Sequence, residues 1–161
     1  MFNLSCKLVI MRTLFFCFLL LAFSCRSTKN TPVTYEANAE DMITLQRTGC
    51  YGTCPIYEVS IFGNGIVSYE GKGFTAHQGK HVGVIEESKV KALFAQMNKL
   101  DWENYPDIYP IDNVDFPQFF LKYHTVQTDK VIKANTQAAA ELLALSKEID
   151  ALVKSIQLKK Q

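Results

Sequence analysis

Neither sign of charge dominates this chain. Its 17 lysines and arginines face 16 aspartates and glutamates, a net charge of +1, so no basic field points to nucleic acid. No serine sits in a nucleophile elbow, no H-E-x-x-H occurs and no phosphate loop is present. No paired carboxylates stand on regular elements for acid–base work. Gly63-x-Gly65 reads as a hairpin turn, not a dinucleotide site. With these constellations missing, neither an enzymatic activity nor a cofactor is expected. Internal repeats and low-complexity tracts are also absent. The longest apolar run, Leu14–Phe23, has ten residues, too few to span a bilayer.

That run has the length of a signal-peptide apolar region, and Lys7 and Arg12 supply the positive segment before it. It ends in Ala22-Phe23-Ser24-Cys25, which resembles the lipobox of bacterial lipoproteins, with Ala22 where leucine is usual. The resemblance implies a signal peptide over residues 1–24, cleavage before Cys25, and lipidation of Cys25 and its amino group. Three acyl chains exceed the two signals that stable membrane anchoring needs. An ordinary secretory signal, or a start at Met11, is the alternative. Arg26 rather than aspartate follows the cysteine; by analogy with the enterobacterial sorting rule, the anchor lies in the outer membrane, facing the periplasm. Loss of Lys7 and Arg12 takes the basic residues from 17 to 15 against 16 acidic, so charge suggests no particular partner. The expected partners are the membrane, through the lipid, and an envelope protein or component.

Residues 25–40 are polar, small and without apolar period, which reads as a flexible tether. A single α+β domain is expected over residues 41–157. Ile43 and Leu45 alternate with Thr44 and Gln46, a strand. Tyr57, Val59 and Ile61 alternate with Glu58 and Ser60. Asn64-Gly65 then suggests a type I′ hairpin turn, and Val67 and Tyr69 mark the returning strand. Gly71–Gly83 carries four glycines with His77 and His81, and reads as a loop or mobile hairpin edge, with a short strand over 81–85. Val90, Leu93, Phe94 and Met97 give a helix over Glu86–Leu100. Phe119–Val126 and Lys130–Ala134 form a second hairpin. A last helix over Gln137–Ile156 has Leu142, Leu145, Ile149, Leu152 and Ile156 as its stripe, capped by Asn135 or Thr136. The predicted fold is an antiparallel sheet of about five to six strands with two helices on one face.

Arg47–Tyr57, R-T-G-C-Y-G-T-C-P-I-Y, is the most distinctive stretch. With Cys25 lipidated, Cys50 and Cys54 remain as a pair in an oxidising compartment, and three readings stay open. A structural disulfide would close a five-residue loop that Gly52 lets turn and Pro55 stiffens. A zinc or copper site would add His77 and His81 to the two cysteines. Thiol redox chemistry is suggested by C-x3-C-P, which resembles the motif of the copper-delivering, thioredoxin-like Sco proteins. There a helix follows, whereas a strand follows Pro55 here. Arg47 is expected either buried beside the cysteine loop, hydrogen-bonded to its carbonyls, or on the surface. The acidic crossover Asp101–Pro117, with Trp102, Tyr105 and Tyr109, is read as solvated and pinned by its aromatics rather than as a cation site.

Arg47-Thr48, Cys50-Tyr51-Gly52, Cys54-Pro55, Tyr57, Val59 and Ile61 resemble the signature R-T-x-C-[YF]-G-x-C-P-x-Y-x-V-x-I. It belongs to a bacterial domain family of unknown function, frequent in envelope proteins and lipoproteins. Gly63-x-Gly65-x-Val67-x-Tyr69-x-Gly71 and Asp115-x-Pro117 continue the resemblance, which runs from Met42 to Val153. It departs at Glu86, where serine or threonine is expected as a helix cap. The resemblance implies no activity. It marks Arg47, Thr48, Tyr51, Gly52, Pro55 and Tyr57 as the loop to follow.

Overall fold

The computed structural model describes residues 37–110 and 115–161. The expected signal peptide, Cys25 and the tether up to residue 36 lie outside the described residues. Four strands come first: β1 (Met42–Arg47), β2 (Ile56–Phe62), β3 (Ile66–Gly73) and β4 (Gly79–Val84). Helix α1 (Glu87–Met97) and a 3-10 turn (Trp102–Asn104) follow. Then come β5 (Phe119–His124), β6 (Asp129–Ala134), helix α2 (Ala140–Lys154) and β7 (Lys159–Lys160). The strands form one sheet in the order β6-β5-β1-β2-β3-β4-β7, each neighbouring pair antiparallel.

The sheet has seven strands, not five or six. The extra one is β7, whose two lysines carry no apolar signal and pair with β4 through backbone alone. It lies past residue 157, where the domain was expected to end. β1 is hydrogen-bonded on both sides, by β2 and β5, so the segment leading into the cysteine loop is held by neighbours on either flank.

Strand alternation decides what is buried. Ile43, Leu45, Val59, Ile61, Val67 and Leu121 are fully enclosed, and they join buried residues of both helices in one core. Each such side chain contributes about 1.5–3 kcal/mol by leaving water. Their strand neighbours point the other way and stay partly wet; Thr44 and Ser60 hydrogen-bond there at 2.9 Å. Val90, Leu93, Phe94 and Met97 bury one face of α1, as their spacing requires. Glu86 occupies the cap position without a side-chain cap bond, and Glu87 takes the first turn, where a carboxylate suits the positive helix end.

Three local expectations are corrected. The β2–β3 connection is a three-residue loop in which Gly65 takes a positive φ of 86° and Asn64 does not. A type I′ turn needs both central residues left-handed, whereas a three-residue loop needs only its last. Helix α2 starts at Ala140, not Gln137, because Asn135 is committed elsewhere: its side chain donates to the Pro110 carbonyl at 2.6 Å and accepts from the Gln137 amide at 2.7 Å. The first strand of the second hairpin ends at His124, not Val126, and the chain turns at Thr125–Thr128, where the Thr125 hydroxyl accepts from the amides of Gln127 and Thr128. Among the described residues no helix is long and apolar enough to cross a membrane.

Candidate functional site

Period two places Arg47 on the same face as Ile43 and Leu45, at the end of β1 where the core gives out. A guanidinium in that position needs a carboxylate, and α2 supplies Asp150. Arg47 Nη2 donates to Asp150 Oδ2 at 2.7 Å and Nε donates to Oδ1 at 3.4 Å. Tyr57, directly across from Arg47 on β2, donates its hydroxyl to Oδ1 as well. Phe119, directly across on β5, lies under the guanidinium at 5.0 Å. The Arg47 and Asp150 side chains are only 19% and 22% exposed. Arg47 is therefore largely shielded from water, but its partner is a helix carboxylate 103 residues away, not the loop carbonyls that one reading expected. Burial, with Asp150 beside it, pushes the Tyr57 phenol well above its usual range. The Tyr57 hydroxyl therefore stays protonated and serves as a donor.

Aromatic rings continue from Tyr57 along the sheet. Tyr57 stacks on Tyr69 of β3 at 5.3 Å between ring centres. Tyr69 meets the edges of His77 and His81, whose rings are 5.2 Å apart. Burial also raises the Tyr69 phenol. The β3–β4 turn is folded down onto this row, and Gly71 makes that possible. A Cβ at Gly71 would stand 1.8 Å from the His77 carbonyl oxygen, an impossible contact. The turn also holds Phe74 at a positive φ of 52°, and Phe74 is 61% exposed.

Together these groups enclose a cleft of about 500 Å³. Arg47, Pro55, Tyr57 and Tyr69 come from the sheet end. Phe74 to His77 form one lip. Asp150, Val153, Lys154, Ile156 and Leu158 come from α2 and the segment after it.

The other predicted residues surround this site. Cys50 and Cys54 are joined in a disulfide with their Cα atoms 5.6 Å apart, directly before Pro55. Their sulfurs are spent on each other. His77 borders the cleft and His81 is buried beside it, and among the described residues no three His, Cys, Asp or Glu side chains gather as a metal would require. Thr48 fastens the end of β1 to Gln118, donating from both hydroxyl and amide to the Gln118 carbonyl at 3.0 Å. Gly52 turns the disulfide loop, its amide donating to the Cys50 carbonyl at 2.8 Å. Tyr51 is 93% exposed and does not line the cleft. The acidic crossover is held by its aromatics: Trp102 stacks on Tyr123 and donates to the Met97 carbonyl, while Tyr105 donates to Glu141.

Reading the sequence missed Asp150, Phe74 and Lys154. Asp150 had a findable signal, because an arginine on an inward-facing strand position demands an acid, and Asp150 borders the apolar stripe of the last helix. Phe74 had none, since its backbone angle is set by the turn.

The class defined here is an antiparallel α+β sheet domain with a disulfide loop at one end of the sheet and a cleft beside it. The chain belongs to the family described as Domain of unknown function (DUF6438), whose model matches residues 41–153. The matched span contains Arg47, Tyr57 and Asp150. Comparison with curated proteins gives no match.

Proposed function

We propose that this is a lipid-anchored envelope protein, held in the outer membrane by an acylated Cys25 and working as a non-enzymatic binding module. Its ligand, a component of the envelope, enters the cleft beside Phe74. The observation that carries this reading is Phe74 itself. A bulky residue at positive φ costs on the order of 1 kcal/mol or more. An aromatic ring left 61% exposed recovers little of that by burial. A strained, exposed ring at the lip of a cleft is what ligand capture would keep.

The polar groups of the cleft floor support binding over catalysis. Asp150 is occupied by Arg47 and Tyr57, and the Tyr57 phenol is held protonated far from neutral pH. A general base or nucleophile needs a pKa near its working pH, which the buried Tyr57 phenol does not have.

The test is site-specific photocrosslinking in living cells of the native host. A benzophenone side chain replaces Ala76 at the lip, or Ser68 on the opposite, exposed side of β3. A discrete adduct from position 76 and none from position 68 is expected. Equal labelling from both, or none from 76, would overturn the reading. Replacing Cys25 by serine should release the protein from the membrane fraction.

A further inference from the structure

We infer that the cleft takes a small anionic amphiphile, an apolar or aromatic body carrying one acid group. This rests on the reading of the cleft as a binding site, and names the chemical class it prefers.

Size and lining give the body. About 500 Å³ falls within the 300–1,000 Å³ range of small-molecule sites. Tyr69 and Phe74 offer ring faces and edges on one side. Val153, Ile156 and Leu158 offer aliphatic surface on the other.

Charge gives the acid group. Asp150 is the single acidic residue lining the cleft, and its charge is matched by Arg47 through two hydrogen bonds. Lys154 lies one helical turn beyond Asp150 on the same face of α2 and makes no ion pair among the described residues. The helix C-terminus beside it carries only about half a negative charge. Its last carbonyls are already met by the amides of Ser155 and Ile156. The cleft therefore keeps an unmatched positive charge at one end of an apolar wall. A cationic ligand would be repelled there, and a neutral one would leave Lys154 unused. Lys154, Ile156 and Leu158 all lie beyond residue 153, where the family match ends.

The test uses three ligands with one body: 4-phenylbutanoate, 4-phenylbutanamide and 4-phenylbutylamine. Each is titrated calorimetrically into the full-length protein. The acid should bind at least fivefold tighter than the amide, and the amine weakest. Lys154→Met should abolish the preference for the acid while leaving the amide within twofold, and Lys154→Arg should restore it. Phe74→Gly should weaken acid and amide alike. Equal binding of acid and amide, or a preference that survives Lys154→Met, overturns the anionic assignment and leaves the cleft standing. If none of the three binds saturably, the cleft reading falls with it.

Discussion

Asp150→Ala should destabilise the domain by about 3 kcal/mol. The carboxylate accepts from Arg47 at 2.7 Å and 3.4 Å and from the Tyr57 hydroxyl, and both side chains of the ion pair are about one-fifth exposed. An exposed ion pair is worth about 0–1 kcal/mol. Removing one member of a fully buried pair costs about 3–5 kcal/mol, because the other charge stays desolvated. A pair four-fifths buried belongs nearer the second figure, reduced by the water that can still reach Arg47. Tyr57→Phe removes only one of the donors and should cost about 1 kcal/mol. The stacking of Arg47 on Phe119 should survive in Asp150→Ala, which holds the loss below the upper limit. The assay is urea unfolding of wild type, Arg47→Met, Asp150→Ala and the double variant. The cycle should return a coupling of about 1–2 kcal/mol, and the melting temperature of Asp150→Ala should fall by roughly 10 °C. A loss under about 1 kcal/mol with no measurable coupling would refute the argument that the signature arginine is built around Asp150.

Alkaline titration is a second check. Burial and a carboxylate partner raise Tyr57 and Tyr105 above the ordinary phenol value of 10.0, Tyr105 to about 12. A raised folded-state pKa gives stability that is complete below pH 10 and is lost as pH rises toward 12 and beyond. Absorbance of ionised tyrosine should therefore lag in the folded protein, and urea midpoints should fall across that window. Gly71→Ala should cost about 3 kcal/mol, since backbone must move to admit the methyl group, whereas Gly73→Ala, whose Cβ would meet only Ile56 at 3.4 Å, should stay within about 1 kcal/mol. Reducing the Cys50–Cys54 disulfide should lower stability by about 2 kcal/mol, the loop-closure value for so short a ring. Alkylation before and after reduction reports the thiols in the same samples.

The alternation of Ile43 and Leu45, and of Tyr57, Val59 and Ile61, was legible because each strand has one dry face. The stripe of α1 was legible for the same reason, and that of α2 only in part: Ser146 and Val153 are buried there, while Leu152 and Ile156 are only partly so. β4 was read only in part because its pattern is inverted. His81 and Gly83 face inward while Val84 is exposed, since Ile156 packs so closely that a Cβ at Gly83 would meet it at 2.8 Å. Apolarity alone points the wrong way there. Half of the site, Arg47 and Tyr57, lay in the stretch that the sequence marked for attention. The other half comes from α2 and the segment after it, and no local pattern links residue 47 to residue 150. Phe74 was hidden for a different reason, because its left-handed backbone follows from how Gly71 admits the turn.

The central claim is that Phe74 is kept for binding at the expense of stability. It is tested most directly in the Phe74→Gly protein carrying the benzophenone at position 76. Glycine relieves the positive φ, so urea unfolding should show stability unchanged or higher by up to about 1 kcal/mol. The adduct from position 76 should disappear. An adduct that persists at wild-type yield, in a protein made less stable by the change, would contradict the account and make Phe74 a packing residue.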